Sequence, residues 1–356
     1  MKKIFFAGAG TAGHVEPALA VARWFRVNHP EIEAHFLGTS DGVENTLVPA
    51  AGFPLHIINK VPFPRRLNAE LLIWPWRFQR ALRQTKALIA GADLVIGFGG
   101  YVAAPAYLAA RRAGIPIVAH EANAKMGMAN KLALCCGAVM LRAFGEDSAE
   151  RVGIPLRNEI VDLARLQPAV RRSTREAALR SMNFDPQVKT ILVFGGSLGS
   201  MKFNEAIAQS QREISRRGYQ IIHAVGAKND LPSAQAGYLP MRYIDDMALA
   251  YAASDMVISR SGAVTVTEVG VLGIYSLFVP LPIGNGEQSE NAKVITARGG
   301  GELVDNSEFS ATWLLANIDR LVAQADAWSA AAQKVDLPLN ASAEIAGRSL
   351  KVLAHE

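Results

Sequence analysis

Residues 258–291, ISRSGAVTVTEVGVLGIYSLFVPLPIGNGEQSEN, contain an apolar run, a Ser-Gly turn, a helical stretch with one acid (Glu268), a second apolar run, and a Gly/Asn loop ending in Gln288 and Asn291. Short apolar runs joined through a helix imply parallel strands in an α/β sheet covered on both faces. A helix entered through Ser261-Gly262-Ala263 presents free N–H groups and the positive end of its dipole, a natural seat for a diphosphate. Glu268, two turns in, is placed to accept hydrogen bonds from both ribose hydroxyls, although an isolated helical Glu is more often simply solvated. The stretch reads as a nucleotide-sugar pocket.

A chain of 356 residues, 50% of them hydrophobic, can bury two ordinary cores, so two domains are expected. No apolar run is long enough to span a bilayer, and the opening IFFAGAG is interrupted by Thr11, His14 and Glu16 before a signal-peptide core could form. Adjacent Cys135 and Cys136 rarely bridge and read as buried thiols of a reducing cytoplasm. A net charge of +5 is only mildly basic, and no concentrated patch or stacking motif points to nucleic acid. An anionic small substrate or an anionic lipid surface fits better.

The first half repeats the α/β pattern. KIFFA (3–7) reads as a buried strand, followed by Gly8-Ala-Gly-Thr-Ala-Gly13 and a helix with apolar residues at Val15, Ala18, Leu19, Ala22 and Phe25. That G-x-G-x-x-G is a weak dinucleotide signal alone, and the second strand (34–38) lacks the acid a dehydrogenase needs at its end. His14, directly after the last glycine, either faces the ligand or caps the helix. Two further strand-helix units begin at 92–100 and 115–121, and their loops (Gly97–Tyr101, His120–Asn123) should converge with Gly8–Gly13 on one crevice. Between them, 60–89 interleaves Lys60, Arg65, Arg66, Arg77, Arg80, Arg83 and Lys86 with Phe63, Leu71, Leu72, Ile73, Trp74, Trp76 and Phe78. Aromatics beside cations suit an anionic lipid interface; a core helix with a solvated basic face is the plainer reading.

Residues 157–189 read as a charged linker, with the domain boundary near 160. The pattern restarts at TILVFGGSLGS (190–200), with strands expected at 220–226, 241–247, 255–263, 275–280 and 301–304, and a last amphipathic helix at 343–356. Two doubly wound parallel-sheet domains facing a cleft suggest a transferase or a ligand-closing binding protein.

Seven ordered blocks carry a closer resemblance: AGTAGHVEPALAVA (9–22), GFGGYVAAPAYLAA (97–110), HEANAKMGMANKLA (120–133), VFGGSLGSMKFNE (193–205), YIDDMALAYAASD (243–255), SRSGAVTVTEV (259–269) and EQSENA (287–292). They resemble the MurG family, the UDP-N-acetylglucosamine:undecaprenyl-pyrophosphoryl-MurNAc-pentapeptide N-acetylglucosaminyltransferases. The resemblance implies the GT-B fold, with an acceptor- and membrane-associating domain at 1–160, a UDP-sugar domain at 161–340, and a final helix (341–356) packing back on the first. It places uracil contacts at Arg157 and the backbone of Ile244, the phosphate seat at the helix start Ala263, Val264 and Thr265, with Val266 and Thr267 also substrate-binding, and ribose on Glu268. Ser197, Gln288 and Asn291 fall on donor contacts, as do Thr11, Ala12, Gly13 and Asn123. The implied reaction is inverting transfer of N-acetylglucosamine to lipid I at the cytoplasmic face of the membrane. His14 is the first candidate base, His120 the second, and Glu121 an orienting group. No D-x-D motif or His/Cys cluster calls for a metal, and no cofactor is expected. Alanines at positions 9 and 12 replace two expected glycines, so the loop must avoid the left-handed region at Ala12 or accept strain. A GT-B transferase with another UDP-sugar or acceptor, or a non-catalytic nucleotide-sugar-binding protein, remains the alternative.

Overall fold

A computed structural model describes the chain except for residues 62–69, 146–149, 197–198, 283–285, 333 and 355–356 and the side chains of Glu70 and Leu71. The chain forms two compact units, Met1–Arg157 with Pro338–Glu356, and Asn158–Leu337.

In the first unit, β1 (Lys2–Gly8), β2 (Ile32–Gly38), β3 (Leu55–Ile57), β4 (Leu94–Gly99), β5 (Ile117–Glu121) and β6 (Val139–Arg142) form one sheet in the order β3-β2-β1-β4-β5-β6. Every pairing is parallel. Alternate residues of β1 serve opposite cores, which is why KIFFA is apolar without a break. Ile4 and Phe6 pack with α1 (Ala12–Asn28) and with Ile345, Ala346 and Leu353 of α13 (Ala341–Ala354). Phe5 and Ala7 pack with α4 (Ala103–Ala113) on the other face, next to α3 (Glu70–Leu88) and α5 (Met128–Cys135).

The second unit repeats this winding. Its strands β7 (Lys189–Phe194), β8 (Tyr219–Ala224), β9 (Tyr238–Met241), β10 (Met256–Ser259), β11 (Tyr275–Phe278) and β12 (Gly301–Leu303) run β12-β11-β10-β7-β8-β9. In each sheet the first and fourth strands are neighbours at the centre, so strand order reverses between them. The loops leaving their carboxyl ends flank the position where open α/β sheets bind ligands.

Three local expectations need correction. Residues 157–189 are not a linker: they fold as α6 (Asn158–Arg165) and α7 (Pro168–Ser181), which pack on α9 (Met247–Ala253) inside the second unit. Proline at the first turn of α7 starts that helix rather than breaking it. The strand expected at 241–247 ends at Met241, because the Asp246 carboxylate accepts from the Leu249 N–H (2.8 Å) and caps α9. Cys135 and Cys136 end α5 as free thiols, the first exposed and the second half-buried, rather than in the core.

Candidate active site

The loop between β1 and α1 is built on one left-handed residue, Gly10 (φ +97°). Ala12 is the first helical residue of α1, and neither it nor Ala9 has positive φ, so the two alanines cost no backbone strain. Gly100 (φ +83°), after β4, passes so near that a Cβ there would lie 2.2 Å from the Ala9 carbonyl oxygen. The two central loops are therefore locked backbone to backbone.

His14 lies on this junction. Its Nδ1 is 3.1 Å from Thr11 Oγ1, and a Cβ on Gly99 would lie 3.3 Å from its Nε2. The residue keeps a partly exposed edge. Burial of the ring lowers its pKa, opposed by the Glu121 carboxylate, the Ala9 carbonyl and the Glu44 carboxylate. Thr11 and Gly13 are exposed, and Ala12 and Asn123 are half-buried.

Glu44, in the first turn of α2 (Glu44–Ala50), is fully buried. One oxygen accepts from Thr39 N–H (2.9 Å) and Thr39 Oγ1 (3.0 Å), the other from Gly10 N–H (2.9 Å). Sequence reading missed it, since the acid of SDGVEN looks like a solvated loop charge. Its signal is Gly42 and Gly38, where a Cβ would lie 2.0 Å and 2.7 Å from Glu44.

Glu121, 2% exposed, is saturated: Asn123 N–H and Nδ2 donate to Oε1 (2.9 and 3.2 Å), and Gly127 N–H and Asn130 Nδ2 donate to Oε2 (both 2.9 Å). Tyr107 donates to Asn130 Oδ1 at 2.9 Å and completes a buried network that fixes the loop after β5. His120 is fully buried; its Nε2 donates to the Gly153 carbonyl (2.8 Å), and burial pushes its pKa down to about 4. The geometry makes it a pin on the segment leading to half-buried Arg157, not a group open to substrate.

In the second unit, α10 (Ala263–Leu272) starts at Gly262, which offers no side-chain cap, and the first helical bond runs from Val266 N–H to Gly262 O (2.9 Å). The amides of Ala263, Val264 and Thr265 precede that bond and point out of the helix end. Val264 and Thr265 are half-exposed. Val266 and Thr267 are buried, and Thr267 Oγ1 donates back to Ala263 O (3.0 Å), so their side chains serve the core. A helix turns its fourth and fifth residues away from its own end, so Val266 and Thr267 do not extend the seat expected at 263–265. Glu268, 4% exposed, accepts from the Tyr251 hydroxyl at 2.9 Å. Buried Asn291 donates to Ser261 O (3.2 Å), Gln288 Oε1 accepts from Leu281 N–H (2.9 Å), and Ile244 is buried. Ser197 lies outside the described residues.

Arg260, which sequence reading passed over, sits between these loops. It donates to Ser200 Oγ (3.0 Å) at the start of α8 (Met201–Arg216), to Val279 O (2.9 Å), to Pro280 O (3.3 Å) and to Asn306 Oδ1 (2.7 Å), and it stacks on Phe203 at 4.7 Å.

On α3, Trp76 is 80% exposed beside exposed Leu72, Ile73, Arg77 and Arg80, whereas Trp74 is half-buried and stacks on Phe78 (4.9 Å between centroids). Phe63, Arg65 and Arg66 of the same expected surface lie outside the described residues. Among the described residues no helix is long and apolar enough to cross a membrane, and no group of three His, Cys, Asp or Glu side chains is arranged to hold a metal.

Residues 4–135 match the glycosyltransferase family 28 N-terminal domain and residues 190–347 its C-terminal domain. A Corynebacterium glutamicum protein named UDP-N-acetylglucosamine--N-acetylmuramyl-(pentapeptide) pyrophosphoryl-undecaprenol N-acetylglucosamine transferase is 45% identical over 90% of this chain and 89% of its own. A Streptomyces coelicolor protein of the same name is 43% identical over 88% of each chain. The chain belongs to the MurG family. The crystal structure of Acinetobacter baumannii MurG superimposes with a TM-score of 0.72 at 28% identity, covering 99% of this chain and 100% of that one. The MurG-type GT-B fold, two doubly wound parallel sheets, is thus the one expected from the sequence.

Proposed function

We propose that the chain transfers N-acetylglucosamine from UDP-N-acetylglucosamine to the MurNAc 4-hydroxyl of lipid I with inversion, giving lipid II for peptidoglycan synthesis. The observation that carries the donor half is the uncapped start of α10 with the buried Glu268–Tyr251 pair two turns behind it. Helix-end amides at Ala263, Val264 and Thr265 match a diphosphate, and a buried carboxylate matches the ribose diol. Gln288 and Asn291 read the sugar, Ile244 and Arg157 the base, and Thr11, Ala12, Gly13 and Asn123 complete the donor contacts.

In the chemical step the acceptor oxygen attacks C1 of the sugar as the C1–O bond to UDP breaks. The hydroxyl proton passes to His14, and UDP leaves as an anion stabilised by the helix-end amides. Burial holds the His14 pKa below its ordinary value, so the imidazole is neutral and able to accept a proton at pH 7. Glu121 orients by fixing the loop that carries Asn123, and His120 has no share in the proton transfer. No cofactor has a part in this scheme.

The same reading places the protein peripherally on the anionic cytoplasmic leaflet, through exposed Trp76, Leu72 and Ile73 with Arg77 and Arg80. Trp76→Ser should reduce binding to anionic vesicles without changing Tm, while Trp74→Ser should lower Tm through the lost Phe78 contact. Unchanged vesicle binding in Trp76→Ser would move the membrane face elsewhere.

Incubation of the pure protein with UDP-N-acetylglucosamine and a lipid I analogue tests the reaction by UDP release. Release only with this pair supports it. Release with a different UDP-sugar or a soluble acceptor supports another GT-B transfer, and tight donor binding without release supports a sensing role.

A further inference from the structure

Three other arginines that tie the second unit together are neutralised, whereas Arg171 donates to the Leu272 carbonyl. Arg175 pairs with Asp255 at 2.6 Å, Arg217 with Asp319 at 2.9 Å, and Arg320 with Glu302. Arg260 is half-buried, and among the described residues its only polar partners are neutral: two carbonyls, an amide oxygen and a hydroxyl. Those partners lie on both sides of its own strand. Ser200 closes the loop after β7, and Val279 and Pro280 follow β11, the two strands flanking β10. A planar fork with several fixed donors can hold three loop ends in register, which a single-point ammonium cannot. The site is also where strand order reverses, next to the uncapped α10 start. A cation kept partly from water without a counter-ion is a standing field at that position, and a mobile anion is what would complete it.

We infer that Arg260 is the positioning residue of the diphosphate seat: its fork fixes Ser200, at the start of α8, beside the α10 start, and its unneutralised charge favours a doubly charged leaving group there. This rests on the donor-site reading above, and it assigns the phosphate preference to a side chain behind the loops as well as to the backbone amides. Arg260 is not proposed to touch a reacting atom.

The test is calorimetric binding of UDP and of uridine to the full chain and to Arg260→Met and Arg260→Lys. Uridine carries no phosphate, so its affinity reports fold and base pocket, and the UDP-to-uridine ratio reports the seat. We expect the ratio to fall about tenfold or more in Arg260→Met with uridine affinity unchanged, and to recover in part in Arg260→Lys, which keeps charge but not the fork. An unchanged ratio in Arg260→Met would overturn the role of Arg260 while leaving the seat intact. Equal loss of UDP and uridine affinity in both variants would reduce Arg260 to a structural brace and also overturn it. No UDP preference in the parent protein would remove the seat itself.

Discussion

The first unit braces its glycine loop with a buried acid, and in the second a half-buried base ties Ser200 to the residues that follow β11. Gly10 gives its N–H to Glu44, so one loop amide is already spent on a carboxylate, and Glu121 adds negative charge near the same point. These carboxylates favour the protonated imidazole, which suits the proton uptake proposed for His14. Around β7 and β10 the brace is Arg260, and the α10 start leaves its amides uncapped, which suits an anion that must be bound and released. Two sheets with the same strand order thus carry side chains of opposite sign, Glu44 and Arg260, near their central strands, and the proposed function assigns them different tasks.

The largest effects should come from breaking each loop in turn. A Cβ on Gly100 would lie 2.2 Å from Ala9 O, and one on Gly199 (φ +75°) 2.1 Å from Val225 O. Gly100→Ala should lower turnover roughly 10²-fold with UDP affinity close to the parent's, since displacement near 1 Å has that cost. Gly199→Ala should instead weaken UDP binding. If both variants lose the same property, the division between the loops is wrong. Next in size, Glu268→Ala should weaken UDP binding about tenfold, the scale of a hydrogen bond to a charged group, and unchanged affinity would remove its ribose role.

The smallest effect sharpens the electrostatic half of the comparison. On the proposed mechanism turnover needs neutral His14, so it should rise with pH through the His14 pKa, which burial lowers and the Glu121 and Glu44 carboxylates partly restore. Glu44→Gln removes one of the restoring charges. The imidazolium is then less favoured, and the acid limb of the rate profile should move to lower pH. A limb that moves to higher pH would contradict the assignment.

Much of this was legible in the sequence because it is local. Glycine loops after apolar runs mark strand ends, and His14, Ser261-Gly262-Ala263 and Glu268 are fixed relative to those loops by a few residues of helix. What escaped is long-range. Glu44 reaches Gly10 across 34 positions, and Arg260 reaches Ser200 across 60 and Asn306 across 46, so nothing in the neighbouring sequence marks them. Burial of His120 was hidden for the same reason, since its partner Gly153 is 33 residues away. Trp74 and Trp76, two residues apart on one helix, necessarily point in different directions; only Trp76 is mostly exposed.

The most direct test of the division of labour is His14→Ala, assayed for UDP-N-acetylglucosamine affinity by calorimetry and for turnover with a lipid I analogue on the same preparation. Turnover should fall about 10²-fold or more, as loss of a general base does, with donor affinity nearly unchanged. Near-parental turnover, or a loss of donor affinity large enough to explain the loss of rate, would contradict it.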